Sequence, residues 1–339
     1  MSLSIEQLGV LLQVPQQIVI LPHTKPDGDA IGSALGLYHC LHSHYQHHDI
    51  QIITPTDYPD FLHFLPADEK VIIYPRNENT AKNCIEKATL VFILDCNDTA
   101  RLDDLQPFVD AIYCPIVLID HHLDPQIVAA YQVWTTAVSS TAELVYRFCH
   151  QLFTQPIINA DAALCLYTGI ATDTGRFKYN TFPSTFEVVA RLIECGLHLE
   201  QANNLIFDNN TEKRLRFLGF ILSEKMIILP NKKVAYIAVS QEDMDLYQYE
   251  SGDLEGVVNY PLSIAGIQVV GLFKEQSNDD VGLSFRSKGD FSVNLYVREH
   301  FIGGGHKNAA GGRSSMSLDD TIHHFLDTIA NYPELQGSN

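Results

Sequence analysis

Residues 18–38 read IVILPHTKPDGDAIGSALGLY, and the order of residue types along this stretch decides the fold. It opens on β-branched and aliphatic side chains, a run that suits one strand buried on both faces. It closes on the small residues Ala30, Gly32, Ala34 and Gly36, set in a helical pattern that continues over 30–44. Strand, short loop and helix make the first part of a βαβ unit, and parallel sheets gather ligands beyond the carboxyl ends of their strands. The loop between strand and helix holds one imidazole and two carboxylates, His23, Asp27 and Asp29, in a turn shaped by Pro26 and Gly28.

The alternation continues down the chain. Strand patterns at 17–22, 50–54, 70–74, 89–95 and 116–120 are interleaved with helical patterns at 30–44, 141–153, 160–172, 185–195 and 211–227. This predicts an α/β fold, with an N-terminal domain built on a doubly wound, mostly parallel sheet covered on both faces. Beyond residue 230 the texture changes. Strand-like runs at 233–239, 267–273 and 281–286 are joined by Gly- and Asp-rich turns, followed by FIGGGHKNAAGG (301–312) and a helix near 318–331. The predicted organisation is a first domain over 1–190, linker helices over 191–229 and a smaller α/β domain over 230–339. The active site is expected in the cleft between the two domains.

Composition narrows the function. At 339 residues and 46% hydrophobic content the chain can bury two cores. It holds no run approaching the roughly 18 apolar residues of a membrane span. Its opening, MSLSIEQLGVLLQV, lacks the basic region and cleavage site of a signal peptide. The seven cysteines form no CxxC pair and sit mostly in apolar runs, which suits free thiols in a reducing cytoplasm. A net charge of −19 argues against coating long nucleic acid by counterion release. One segment runs the other way: residues 281–313 carry Arg286, Lys288, Arg298, Lys307 and Arg313 against Asp290 and Glu299 alone. Such a segment can attract a small anion or simply form a solvated face.

The opening loop has counterparts. LVFILDCND (90–98) ends a hydrophobic strand on Asp95, PIVLIDHHLD (115–124) ends another on Asp120, His121 and His122, and LYTGIATDTGRF (166–177) brings Asp173 to the end of an apolar helical run. Three of these clusters meet on one edge if the strands are parallel. Buried carboxylates crowded together repel one another unless cations stand among them. Aspartates and imidazoles without cysteine favour Mn²⁺ or Mg²⁺ over structural zinc, and the number of ligands suits two metals sharing a carboxylate. Asn97 and Asp98 read as an Asx turn, and Asp120 either as a strand-end cap or as the group that fixes an imidazole's tautomer.

In this combination the sequence resembles the DHH phosphoesterase superfamily, whose name-giving triplet is Asp120–His121–His122 here. Within it, the chain is most similar to the branch of nanoRNases and 3′-phosphoadenosine-5′-phosphate (pAp) phosphatases. The resemblance spans the N-terminal motifs in order and then the DHH-associated domain with its GGGHKNAAGG (303–312). It implies two divalent ions, manganese first, with magnesium or cobalt as substitutes. His23, Asp27 and Asp95 would hold one ion, and Asp29, Asp95, His121 and Asp173 the other, with Asp95 bridging. His122, with Asp120 beside it, would act at the scissile phosphate, orienting its oxygens or protonating the leaving oxygen. In the second domain the resemblance puts Arg286 on a substrate phosphate, with Gly303, Gly304, Gly305 and His306 at the substrate's end. A guanidinium fork suits a terminal phosphate better than an ammonium does.

The implied reaction is metal-assisted phosphoester hydrolysis without a covalent intermediate. The implied partners are short single-stranded RNA or DNA oligonucleotides or a nucleotide bisphosphate, and neither long duplexes nor a membrane; a homodimer is compatible. A phosphodiesterase of cyclic or linear dinucleotides, of the c-di-AMP or pApA type, would share both domains. A RecJ-type exonuclease would need further nucleic-acid-binding domains, and the manganese pyrophosphatases carry a different second-domain signature. From another class, a non-catalytic nucleotide-binding module would be expected to have lost an aspartate first.

Overall fold

The computed structural model describes residues 2–153, 158–250 and 252–337. The chain divides into two compact units after Asn209. In the first, β1 (Gln17–Pro22), β2 (Asp49–Thr54), β3 (Val71–Ile73), β4 (Leu90–Leu94), β5 (Ile116–Asp120) and β6 (Tyr131–Trp134) form one sheet in the order β3-β2-β1-β4-β5-β6. Every neighbouring pair is parallel. The central strands are apolar throughout because both faces are covered. One core lies beneath the helices Gly28–His44, Thr141–Leu152 and Ala160–Asp173, the other beneath Glu78–Lys87 and the turns that follow β4.

From β1 the chain proceeds outward to β2, and from β4 it proceeds the other way to β5. The carboxyl ends of β1 and β4 therefore flank the point where the winding reverses, the place where doubly wound sheets open a crevice. The His23–Asp29 loop follows β1 and Asp95 follows β4 directly. Strand β6 was not legible in the sequence. YQVW is a four-residue edge strand with only its Tyr131 and Val133 face packed on the core.

The small residues of the helix Gly28–His44 have a packing role. A Cβ at Gly32 would lie 2.5 Å from the Cys165 carbonyl oxygen, and one at Gly36 would lie 2.5 Å from a Leu166 methyl. A Cβ at Gly28 would strike the Thr172 side chain. The glycines let this helix lie against Ala160–Asp173 backbone to backbone, which carries Asp29 and Asp173 toward the same spot. Gly28 thus serves close approach. The turn itself is made by Asp27, which caps the helix by accepting from the Asp29 and Ala30 N–H groups, both at 3.1 Å.

The second unit contains β7 (Met226–Ile228), β8 (Val234–Val239), β9 (Val269–Ser277), β10 (Asp280–Ser287), β11 (Ile302–His306) and β12 (Ala309–Ser314), ordered β11-β12-β10-β9-β8-β7. Only β8 and β9 run parallel. Each face of the sheet carries its own core. The helix expected over 211–227 is shorter, Glu212–Phe220. After one π-turn the chain becomes β7, because Met226, Ile227 and Ile228 find partners in Ile237, Tyr236 and Ala235. The preceding helices Pro183–Glu194 and Leu199–Phe207 belong to the first unit. No helix among the described residues is long and apolar enough to cross a membrane.

Candidate metal centre

The side chains singled out in the N-terminal half converge at the carboxyl edge of the first sheet. Ligand-type atoms of His23, Asp27 and Asp95 lie within 4.8 Å of one another, as do those of Asp29, His121 and Asp173, and those of Asp95, Asp120 and His122. Asp95 joins the groups. Its Oδ2 is 3.4 Å from His23 Nε2, while its Oδ1 is 3.5 Å from His121 Nε2 and 3.5 Å from His122 Nδ1. The carboxylate is buried and its backbone sits at φ +55°, in the left-handed region that aspartate tolerates better than most residues. That twist, just past β4, turns its two oxygens toward two different imidazoles.

The imidazoles are oriented by their surroundings. His23 Nδ1 lies 2.7 Å from the Thr24 carbonyl, which can only accept, so Nδ1 carries the proton and Nε2 faces Asp95 and Asp27 at 3.4 and 4.0 Å. His121 Nε2 stands 3.5, 3.7 and 3.8 Å from Asp95, Asp29 and Asp173. These separations exceed the roughly 2.7–2.9 Å of a charge-assisted hydrogen bond. They match groups sharing an ion at about 2.1 Å from each. The donor set, carboxylates and imidazole without thiolate, suits a hard or borderline divalent cation.

The electrostatics agree. Burial pushes the Asp29 carboxyl well above its usual range, and the Asp95 and Asp173 charges push the same way against His121. Burial also raises Asp173, to about 6, with Asp27 and Asp95 adding to the rise and His121 opposing it. Asp95 goes the other way. Burial would raise it, but His122, His121 and His23 together hold it well below the carboxylate range. His121 rises to about 10 although its burial works against the charge, because Asp95, Asp173 and Asp29 surround it. His23 is likewise raised: burial and Arg101 work against its charge, and Asp95 and Asp27 together outweigh them. In the ion-free protein, protons on these imidazoles supply the positive charge that the carboxylates demand.

Asp120 fills both roles considered for it. Fully buried, it accepts from the His122 backbone N–H at 3.2 Å and from His122 Nδ1 at 2.8 Å, capping the strand end and fixing the ring. Asp98 makes the expected Asx turn with Ala100 N–H at 2.9 Å, and Asn97 ties its loop to the Leu123 carbonyl at 2.8 Å.

A third source of support had no counterpart in the sequence reading. The helix Thr141–Leu152 aims its N-terminus at the cluster: Thr141 N–H donates to Asp29 Oδ2 at 2.7 Å, Ala142 N–H to Asp29 Oδ1 at 2.9 Å, and Thr141 Oγ1 to Asp95 Oδ1 at 2.8 Å. Hydrogen bonds to a charged acceptor are each worth about 1.5–3 kcal/mol, and a helix N-terminus favours negative charge. Glu143, fully buried, clamps this turn. It accepts from Ser139 N–H and Oγ (3.1 and 2.6 Å), Ser184 Oγ (2.9 Å), Thr185 Oγ1 (2.9 Å) and Arg147. The signal lay in SSTAE (139–143), where Ser140 and Glu143 have capping-box spacing.

The C-terminal candidates lie in the second unit. Arg286, next to last in β10, pairs with Ala309 of β12, and Ala309 pairs in turn with His306 of β11, so the guanidinium and imidazole residues flank one alanine at one end of the sheet. Gly303, Gly304 and Gly305 form β11 itself. Cβ atoms at Gly303 and Gly305 would collide with the β12 backbone, so these glycines are required by the strand pairing. Lys307 pairs with Asp290 at 3.0 Å and Arg313 with Asp280 at 2.6 Å, so part of the basic segment is already neutralised.

Comparison with known proteins gives a consistent picture. The model of the DHH family, N-terminal domain, matches residues 17–170, and that of the DHHA1 domain matches residues 231–332. The bifunctional oligoribonuclease and PAP phosphatase NrnA of Thermus thermophilus is 30% identical over 328 residues, 94% of this chain and 91% of that protein. Its namesake in Bacillus subtilis is 27% identical over 321 residues, 92% of this chain and 94% of that protein. The crystal structure of an exopolyphosphatase-related protein from Bacteroides fragilis superposes with a TM-score of 0.92 at 33% identity, covering 98% of this chain and 96% of that one.

Proposed function

This chain belongs to the DHH family, and on that premise we propose that it is a phosphoesterase working with two divalent ions, manganese foremost, which hydrolyses short oligoribonucleotides or pAp to mononucleotides. The observation that carries the reading is Asp95, whose two oxygens face His23 on one side and His121 on the other. One ion would be held by His23, Asp27 and Asp95, and the other by Asp29, Asp95, His121 and Asp173. Bound there, the ions supply Lewis-acid chemistry, activating water and neutralising charge on the phosphoryl oxygens.

The chain's own residues do the rest. Thr141 and Ala142 hold Asp29 in place, and Thr141 Oγ1 holds Asp95. His122, its Nδ1 proton committed to Asp120, presents Nε2 as the atom that hydrogen-bonds a phosphoryl oxygen or protonates the leaving oxygen. Arg286, His306 and the Gly303–Gly305 backbone are proposed to grip the end of the substrate, which would favour short ligands over duplexes. The free, mostly buried cysteines support a cytoplasmic site of action.

The test is turnover of an RNA dinucleotide, pAp, a cyclic dinucleotide, pyrophosphate and polyphosphate, each with Mn²⁺ and with chelator. Hydrolysis of the dinucleotide or pAp that requires metal and is lost in Asp95→Ala is the expected result. Turnover confined to polyphosphate or pyrophosphate would overturn the substrate assignment. Turnover indifferent to chelator would overturn the metal assignment.

A further inference from the structure

Trp134 is the chain's only tryptophan, and it occupies an unusual position for so large an apolar group. It ends β6 directly opposite Asp120, at the carboxyl edge where the aspartates and histidines gather. It belongs to neither core of the N-terminal unit and is 43% exposed. Its Nε1–H donates to the His122 carbonyl at 2.7 Å, which fixes the indole beside the residue proposed to act on the phosphate. Other exposed aromatics differ. Phe186 is stacked on Phe177 at 5.5 Å, and Tyr113 lies in the loop before β5, at the amino end of the strands. Among the described residues no ring or cation is stacked on Trp134.

A hydrogen-bonded polar edge and a partly exposed ring are what a stacking platform requires. A nucleotide with its phosphate at the Asp–His cluster carries its base one sugar away, in reach of a rigid aromatic plate anchored to His122. Resting on the phosphoesterase reading above, we propose that Trp134 forms a nucleobase subsite, stacking the base of the nucleotide whose phosphate is cleaved. Every base has a π-face, so the platform accepts purines and pyrimidines alike and contributes affinity without reading sequence.

A single tryptophan makes the subsite directly observable. In the Mg²⁺-loaded wild-type protein, AMP should quench Trp134 fluorescence saturably, and ribose 5-phosphate at matched occupancy should leave it nearly unchanged. Trp134→Ala should raise KM for an RNA dinucleotide about tenfold, the equivalent of about 1.4 kcal/mol and within the range of base–aromatic stacking, with kcat within about twofold. Trp134→Phe, which keeps a face but loses the anchor, should fall between the two. Metal content should be unchanged in both variants. AMP that inhibits competitively without altering the fluorescence would overturn the subsite, as would a Trp134→Ala variant that loses kcat at constant KM. The latter pattern would assign Trp134 to holding the His122 loop. Failure of the wild type to hydrolyse any nucleotide would sink the parent reading instead, and that outcome is read from a separate assay.

Discussion

Replacing Asp173 by asparagine should stabilise the metal-free protein and weaken its response to metal. The Asp173 side chain is 23% exposed, and its pKa rises from 3.8 to about 6, through burial first and the neighbouring Asp27 and Asp95 charges next. A carboxyl with a folded-state pKa above its unfolded value favours folding while it is protonated. Below about pH 4 both states hold the proton and no penalty exists. The penalty grows as pH rises and is complete once pH exceeds the folded value. At roughly 1.36 kcal/mol per pH unit, the rise amounts to about 3 kcal/mol. Asparagine keeps the shape and removes the charge, so at pH 8 in chelator Asp173→Asn should unfold about 3 kcal/mol less readily. For a unit of some 200 residues that is on the order of 6–12 °C in Tm.

Metal should narrow the gap. Wild type gains about 2.7 kcal/mol at a hundred times Kd, whereas the variant lacks a proposed ligand and gains less. The assay is thermal unfolding followed through Trp134, the only tryptophan, at pH 4.5 and 8, with chelator and with Mn²⁺. The electrostatic reasoning is refuted if Asp173→Asn is the less stable protein at pH 8 in chelator. It is equally refuted if Mn²⁺ raises both Tm values alike.

Three further outcomes are expected. His121→Ala should lose or weaken one ion by elemental analysis, while His122→Ala keeps both and loses turnover; equal metal loss would mean the two histidines are assigned wrongly. Arg286→Ala should lower catalytic efficiency on pAp or a dinucleotide by about tenfold or more, a charge-assisted contact being worth about 1.5–3 kcal/mol, yet leave bis-nitrophenyl phosphate nearly unaffected. Equal damage to both substrates would return the basic segment to a solvated face. Glu143→Gln should weaken Mn²⁺ binding about tenfold by titration calorimetry, through the clamp on the Ser139–Thr141 turn; an unchanged Kd would show that the helix N-terminus holds Asp29 without Glu143.

How far the sequence could be read depends on which atoms carry each feature. Asp95 and Asp120 stand out because a carboxylate at the end of a wholly apolar strand breaks the pattern that burial imposes on β4 and β5. Strand β7 was misread because Met226, Ile227 and Ile228 suit a helix or a strand equally, and only the presence of β8 decides. The glycines of 28–36 and 303–305 announced close approach but not to what, and their neighbours are protein backbone and side chains. The deepest gap concerns Asp29. Its two strongest hydrogen bonds come from the backbone N–H groups of Thr141 and Ala142, 112 and 113 positions away. Every residue but proline has such a group, so no letter of the sequence marks the ones that matter. What turns them into ligands for a carboxylate is their place at a helix start, and that start is capped by Ser140 and clamped by Glu143, which accepts from Ser139. The sequence can therefore name the charges of this site, while the groups that hold those charges become visible only when the helix beside them is folded.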